Sequence, residues 1–459
     1  MSGWKRMASP LGIPDGSAGL HNPLHAIVRW REDFQRMMSA RVLESQLGFR
    51  VTWYLGALTL GCFTIQVTTG LLLMLYYHPS IPQGYADMKD LEFVVSSGYM
   101  LRSLHRWSAH AMVLLVFMHM AKVFYRKGYK TPRELNWIIG VFLLLATLLL
   151  SYTGYLLPWD QLSYWGTTVG ANIISSIPFV GSHLRFYLLA GHTINANALL
   201  RFYVLHTMML PLLAIVLIAV HLWRLHEDGG MYNLSKNGIP IVHEHSPLAM
   251  ADAPRRLEEE RTLSYRELLF REVIGIESLT VVLFMMGLLW KAPLEELANP
   301  LYTPNPAKAP WYFTGLQELL HYFPPFVAGI ILPGLIVSGL FFIPFSPFFD
   351  NVTTYDANHW FRSKPIRMVI ATVLILALSV LLVRVHAWDA LLPALVVTIL
   401  LLLATESTSQ PARSFRSWLS SRPLSFWIMT LFLMEAVVLT SVGTLFRGPS
   451  WAWVWPWRG

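Results

Sequence analysis

Three observations predict an all-α integral membrane protein, a four-helix bundle followed by about five further transmembrane helices. The chain is too apolar for water, long apolar runs recur along it, and basic residues cluster beside every second connection. Of 459 residues, 54% are hydrophobic, 13% aromatic and only 14% charged, a balance that points to the bilayer as solvent.

Runs of about 18 to 25 apolar residues, enough to cross roughly 30 Å of hydrocarbon, fall at 51–77, 104–124, 134–157, 203–224, 273–291, 325–345, 367–384, 388–404 and 424–446. The segment before the first run carries Lys5, Arg6, Arg29, Arg31, Arg36, Arg41 and Arg50, and the second-to-third connection carries Lys122, Arg126, Lys127, Lys130 and Arg133. By the positive-inside rule both are cytoplasmic. The fourth-to-fifth connection is basic as well (Arg255, Arg256, Arg261, Arg266, Arg271), whereas 158–200 has only Arg185, as alternation requires. Nine spans from a cytoplasmic start place the C-terminus outside, where Trp451, Trp453, Trp455 and Trp457 read as an interfacial belt. The net charge of +8 is then a topology signal, and no nucleic-acid partner is expected. No cleavable leader pattern precedes the first run, so no signal peptide is expected. A single cysteine, Cys62, excludes an intrachain disulfide and any cage built of cysteines. A bound metal must use histidine or carboxylate.

The chain divides into an amphipathic cytoplasmic segment (1–50), a four-span block (51–226), a polar cytoplasmic linker (227–272), a pair of spans (273–345), and additional helices with a Trp-rich end (346–459). His243 and His245 in the linker read either as a metal pair or as two solvated loop residues. The connection 158–200 is long and contains the apolar patch NIISSIPFVG, which fits a short helix lying at the outer membrane surface.

Histidine inside an apolar span is costly and marks function. The second span places His105 and His119 fourteen residues apart, and the fourth places His206 and His221 fifteen apart. Such spacings are about four turns, roughly 21 to 22 Å along the axis. Two helices of opposite direction then offer one imidazole each at two depths, the ligand set for two bis-His haems. A broad macrocycle needs close backbone approach from the other two helices, which glycine allows. Gly56 and Gly70 in the first span, and Gly140 and Gly154 in the third, are again fourteen apart. Helix-packing glycines follow a four-residue period instead. Arg102 and Arg201 precede the outer histidines, and Lys122, Arg126 and Arg133 follow the inner one. They are candidates for propionate contacts, or ordinary snorkelling charges.

The stretches RSLHRWSAH, KTPRELNWIIGV, TGYLLPWDQLSYWGTTV and LTLGCFTIQVTTG resemble the cytochrome b family. The chloroplast-type branch is the nearer, because its fourth-helix histidines also stand fifteen apart. The resemblance covers about residues 40–345, with the branch's two usual chains fused here and about two spans added. It implies bifurcated quinol oxidation: one electron leaves through a Rieske iron–sulfur protein to a c-type cytochrome, and the other crosses both haems to a quinone-reducing site. It also implies a homodimer in a bacterial cytoplasmic membrane, with protons released outside and taken up inside. At the outer site it implies roles for Tyr155, Trp165, Gly166 and Thr167, and for Pro310, Trp311 and Tyr312.

The family's Pro-Glu-Trp-Tyr motif reads Ala309-Pro310-Trp311-Tyr312 here, so the proton-accepting carboxylate is missing. Glu318 is a candidate replacement, or else a helix-end carboxylate. A carboxylate beside an apolar quinone pocket would suit proton transfer near neutral pH. At the cytoplasmic site His226 matches a quinone-contacting histidine, and Arg271-Glu272 resembles a Lys-Asp pair. The branch's covalent haem attaches to a first-helix cysteine whose aligned position is Tyr54, and Cys62 matches a different one. No covalent haem is therefore expected, and Cys62 reads as a small buried residue.

The sequence thus predicts the redox subunit of a quinol:cytochrome c oxidoreductase. A different reading is a non-bifurcating di-haem anchor that passes quinol electrons to another attached enzyme. A transporter or structural protein without redox role is the third, and the paired ladders argue against it.

Overall fold

The computed structural model describes residues 41–43, 52–227, 262–345, 373, 388–403, 419, 422 and 424–455. The expected amphipathic N-terminal segment, most of the linker with His243 and His245, and nearly all of the run 367–384 lie outside the described residues. Two compact units divide the chain. One falls within Met1–Trp53 and Tyr232–Ile274, the other within Tyr54–Met231 and Gly275–Gly459.

In the first unit, β1 (Arg41–Leu43) pairs antiparallel with β2 (Thr262–Ser264), and α9 (Tyr265–Leu289) begins directly after it. Apart from this three-residue pair the elements among the described residues are helical.

The second unit opens with α1 (Leu55–Met74), α2 (Gln83–Phe93), α3 (Gly98–Tyr125) and α4 (Glu134–Tyr155). Two short helices follow, α5 (Gln161–Ser175) and α6 (Gly181–Leu189), where the sequence suggested one. Then α7 (Ala196–Val204) runs through a π-turn, Leu205–Met209, into α8 (Leu210–Glu227). After α9 come α10 (Trp311–Tyr322), a π-turn (Val327–Ile331) leading into α11 (Leu332–Phe342), α12 (Trp388–Leu403) and α13 (Leu424–Leu445). Seven helices among the described residues are long and apolar enough to cross a membrane, and the shorter α12 holds an eighth apolar segment. In each of the seven, less than two fifths of the apolar window is buried. Leu71, Leu75, Leu212 and Val281 are more than half exposed, which is stable only against lipid.

Packing is built from apolar seams between these helices. Cys62, Phe63, Met112, Ala214 and Leu283 form one buried cluster joining α1, α3, α8 and the second half of α9, so Cys62 is a core residue. A second cluster joins α3 and α4 to α11 and α13 through Met120, Trp137, Leu144, Leu340 and Met429. A third, around Leu156, Ala171, Leu189 and Phe202, seats the surface helices α5 and α6. Asp160 fixes the start of α5: one carboxylate oxygen accepts from Ser163 N–H (2.9 Å), the other from Glu295 N–H (3.2 Å). The loop after α9 is thereby tied to the third-to-fourth connection.

Candidate functional site

The four histidines and four glycines meet one to one. A Cβ added at Gly70 would lie 3.4 Å from His105 Cε1, at Gly154 2.5 Å from His206, at Gly56 3.3 Å from His119, and at Gly140 3.8 Å from His221. Helix directions sort them into two levels, Gly70, His105, Gly154 and His206 at one, Gly56, His119, Gly140 and His221 at the other. The His105 and His206 rings stand 6.2 Å apart, centroid to centroid, at 80°. An imidazole nitrogen sits about 2 Å from a bound metal, so two rings on opposite sides of one metal have centroids about 6 Å apart. His119 and His221 are likewise within electrostatic reach of each other.

The π-turn explains the unequal spacings. It closes its bonds five residues back instead of four, so the segment Leu205–Met209 absorbs one residue without advancing the face. His206 and His221, fifteen apart in sequence, thereby share the register of the fourteen-residue pairs.

Which nitrogen each outer histidine presents is set by threonines that the ladder reading missed. Thr69 Oγ1 donates to Ile65 O (2.6 Å) and lies 2.8 Å from His105 Nδ1. Its proton is committed, so it accepts from Nδ1–H, leaving Nε2 with its lone pair free. Thr153 does the same one helix away: it donates to Leu149 O (2.8 Å), and His206 Nδ1 lies 3.3 Å from Thr153 Oγ1 and 3.1 Å from Leu150 O. Support of this kind fixes tautomer and ring orientation at metal sites. The repeated Thr-Gly dipeptides at 69–70 and 153–154 were the available signal. At the other level His221 Nδ1 is buried beside the Asn136 backbone.

Among the described residues no three metal-ligating side chains cluster together. Paired imidazoles with glycine opposite fit a metal whose remaining ligands come from a flat macrocycle, and the donor set fits haem.

Of the candidate propionate partners, Lys122 lies in the last turn of α3 and Arg126 at its C-terminal end, Arg133 caps α4, and Arg201 is exposed in the last turn of α7. Arg102, the other candidate, precedes His105 on α3. It is buried, and its terminal nitrogens donate to Ala292 O (2.8 Å) and Pro293 O (2.6 Å), which turns the guanidinium toward the loop after α9.

The outer-site residues gather where α3, the end of α4 and the start of α10 meet. Tyr155 O–H donates to Leu162 O (3.1 Å), and its ring packs where a Cβ on Gly166 would intrude, 2.8 Å away. Tyr155 is within electrostatic reach of Tyr312 and Arg106. Trp165 N–H donates to Tyr302 O (3.0 Å), and Thr167 is buried against Ser163 O. Pro310 is the N-cap of α10, Trp311 begins it, and Tyr312 follows. Burial pushes the Tyr312 phenol up to about 12, against the opposing pull of Arg106, so it remains a hydrogen-bond donor at neutral pH.

Glu318 is fully buried. Arg447, at the end of α13, holds it through Nε (3.1 Å to each oxygen) and through a close Nη2 contact, and Trp451 Nε1 donates to Oε2 (2.9 Å). This geometry departs from a carboxylate open to a quinone pocket. Of the Trp-rich end, Trp453 and Trp455 are half exposed.

Of the residues expected at the quinone-reducing site, His226 falls in the last turn of α8. In the other unit, Arg271 pairs with Glu267 (2.7 Å) and Glu272 is half-buried near Tyr265.

A multi-pass helical membrane protein whose core presents paired imidazoles and facing glycines is a membrane cytochrome in its architecture. Comparison with known proteins gives the family. Residues 42–229 match the family model Cytochrome b/b6/petB, and residues 297–390 match Cytochrome b(C-terminal)/b6/petD. The chain is 43% identical to cytochrome b6 of Heliomicrobium gestii over 175 residues, covering 38% of this chain and 82% of that protein. It is 44% identical to cytochrome b6 of Heliobacterium mobile over 179 residues, covering 39% of this chain and 84% of that one. A chain of a hyperthermophilic respiratory Complex III shares the fold with a TM-score of 0.59 and 22% identity, over 92% of this chain and 98% of that chain.

The protein belongs to the cytochrome b/b6 family, with the N-terminal and C-terminal parts in one chain. It is a bc-type cytochrome b subunit, of a family that binds haem b and works in electron transport.

Proposed function

We propose that this chain is the quinol-oxidising subunit of a quinol:cytochrome c oxidoreductase in a bacterial cytoplasmic membrane, with its N-terminus cytoplasmic. The observation that carries the proposal is the one-to-one meeting of four glycines with four histidines at two levels. His105 and His206 would hold an outer b haem and His119 and His221 an inner one, both non-covalent. When bound, the haems supply a one-electron path across the bilayer. Thr69 and Thr153 hold the outer imidazoles in the ligating tautomer. Tyr155, Trp165, Gly166, Thr167, Pro310, Trp311 and Tyr312 would shape the outer quinol site, and His226, Arg271 and Glu272 would serve quinone reduction on the cytoplasmic side. Arg102, Arg201, Lys122, Arg126 and Arg133 are the proposed propionate partners. Glu318 is assigned to anchoring α10, since using it as a proton acceptor would disturb its pairing with Arg447. The proposed partners are a Rieske iron–sulfur protein, a c-type cytochrome and a second copy of the chain.

The alternative, a non-bifurcating di-haem anchor for another redox enzyme, is favoured by one observation. Pro310 occupies the position of the motif carboxylate, and the nearby Glu318 is locked in an ion pair. Purification of the tagged chain from its own membranes separates the two. The proposal expects a Rieske protein and a c-type cytochrome to co-purify, and quinol-dependent reduction of cytochrome c. A different redox enzyme without Rieske protein would establish the anchor reading.

A further inference from the structure

The outer site contains a histidine outside the ladder. His110 lies in α3 five residues after His105, which turns it about 140° around the helix from that residue. It therefore faces away from the ladder and toward α10. Its Nδ1 accepts the indole N–H of Trp311 at 2.8 Å. An indole is a donor only, so Nδ1 carries no proton, and the proton of the neutral ring sits on Nε2.

That Nε2–H has no hydrogen-bond partner among the described residues, yet it is not sealed off as a buried unpartnered atom. The phenolic O–H of Tyr312 is in the same condition, and the two rings are 5.5 Å apart at 65°. Trp107 closes the other side of the imidazole, with ring centroids 5.5 Å apart, and Arg106 is close to both His110 and Tyr312. Two open donors on adjacent aromatic rings, beside a cation, form a place for an oxygen acceptor on a flat ring.

We propose that His110 is a head-group-binding residue of the outer site, donating its Nε2–H to a quinol or quinone oxygen with Trp311 fixing the tautomer. This rests on the reading of that site as a quinol site. Where the motif carboxylate is absent, the head group is held by donors, His110 and Tyr312, which orient it without taking its proton. Trp311 thereby acts as a positioning residue through His110.

The test uses the purified complex with short-chain benzoquinol and naphthoquinol as probes, and compares native protein with His110→Leu, His110→Gln and Trp311→Phe. One lost neutral hydrogen bond corresponds to roughly a five- to tenfold loss of affinity, so His110→Leu should raise KM by about that factor with haem content unchanged. His110→Gln, which keeps an N–H donor, should recover most of it. Trp311→Phe leaves His110 in place, frees its tautomer, and should raise KM about twofold by halving the correctly protonated population. It also carries the test if His110→Leu fails to assemble, in which case an unchanged KM would overturn the proposal. An assembled His110→Leu complex with KM unchanged would overturn it too, while leaving the quinol site standing. A native complex that oxidises neither quinol would overturn the quinol-site reading and the proposal together.

Discussion

Replacing His206 by alanine should halve the haem content, from the two b haems proposed per chain to one, and the haem that remains should be the inner one. In the proposal His105 and His206 would hold the outer haem, with Gly70 and Gly154 opposite, and one remaining imidazole would not replace the pair. His221→Ala should give the complementary loss. The two variants are told apart by the optical and potentiometric signature of the surviving haem. Gly154→Ala should reproduce the His206→Ala loss without touching a ligand. Its Cβ would lie 2.5 Å from His206 Cε1, and the ring can yield only by leaving the Leu150 and Thr153 contacts that orient it. Gly140→Ala, with 3.8 Å available against His221, meets ordinary van der Waals contact on the protein side. Loss of both haems together from a folded His206→Ala protein would mean that the ligands do not sort into two levels.

Arg447→Ala should destabilise the α10–α13 region by about 3–5 kcal/mol, the cost of leaving a buried carboxylate without its counter-charge. Glu318 is fully buried and Arg447 only 7% exposed, and Tyr322 and Trp451 complete the cage. Replacing both members, Glu318→Leu with Arg447→Met, should recover most of the loss, because no buried charge is then left alone. Thermal unfolding in detergent reads the difference. The haem bundle lies on other helices, so haem content should hold in both variants while quinol oxidation falls in the single one. An Arg447→Ala protein as stable as the native one would show that Glu318 finds another partner or ionises in contact with water.

These two results bear on different parts of what the sequence reveals. The meeting of histidines with glycines was legible because a fourteen-residue spacing is shared by His105/His119, Gly56/Gly70 and Gly140/Gly154, so residues of two kinds on three helices repeat at one period. The fifteen-residue pair was legible as a variation but not in its origin. A π-turn is a change of hydrogen-bond register, and the residues Leu205–Met209 carry no composition that announces it.

The role of the added C-terminal helices was not legible at all. The brace between Glu318 and Arg447 spans 129 residues, and its second half sits at the end of an apolar run where an arginine reads as a topology charge. The same helix supports α10 along its length: Thr314 meets Thr444 (2.9 Å), Lys308 donates to Thr444 O (3.1 Å), and Gly443 packs against Thr314. Burial holds the Lys308 ammonium below its ordinary range. These contacts give α13 a function, positioning the segment that carries Pro310, Trp311 and Tyr312. His110 escaped notice because a spacing of five from His105 fits no ladder, and only the fold brings Trp311 to it.

The central claim is that this single chain holds two haems on four histidines. Haem quantification against protein in the purified complex, with a redox-titrated difference spectrum of the native chain and of a variant with His105, His119, His206 and His221 all replaced by leucine, tests it most directly. The account predicts two b haems per native chain, titrating as two components, and none in the fourfold variant. One haem per native chain, or haem retained by the fourfold variant, would contradict it.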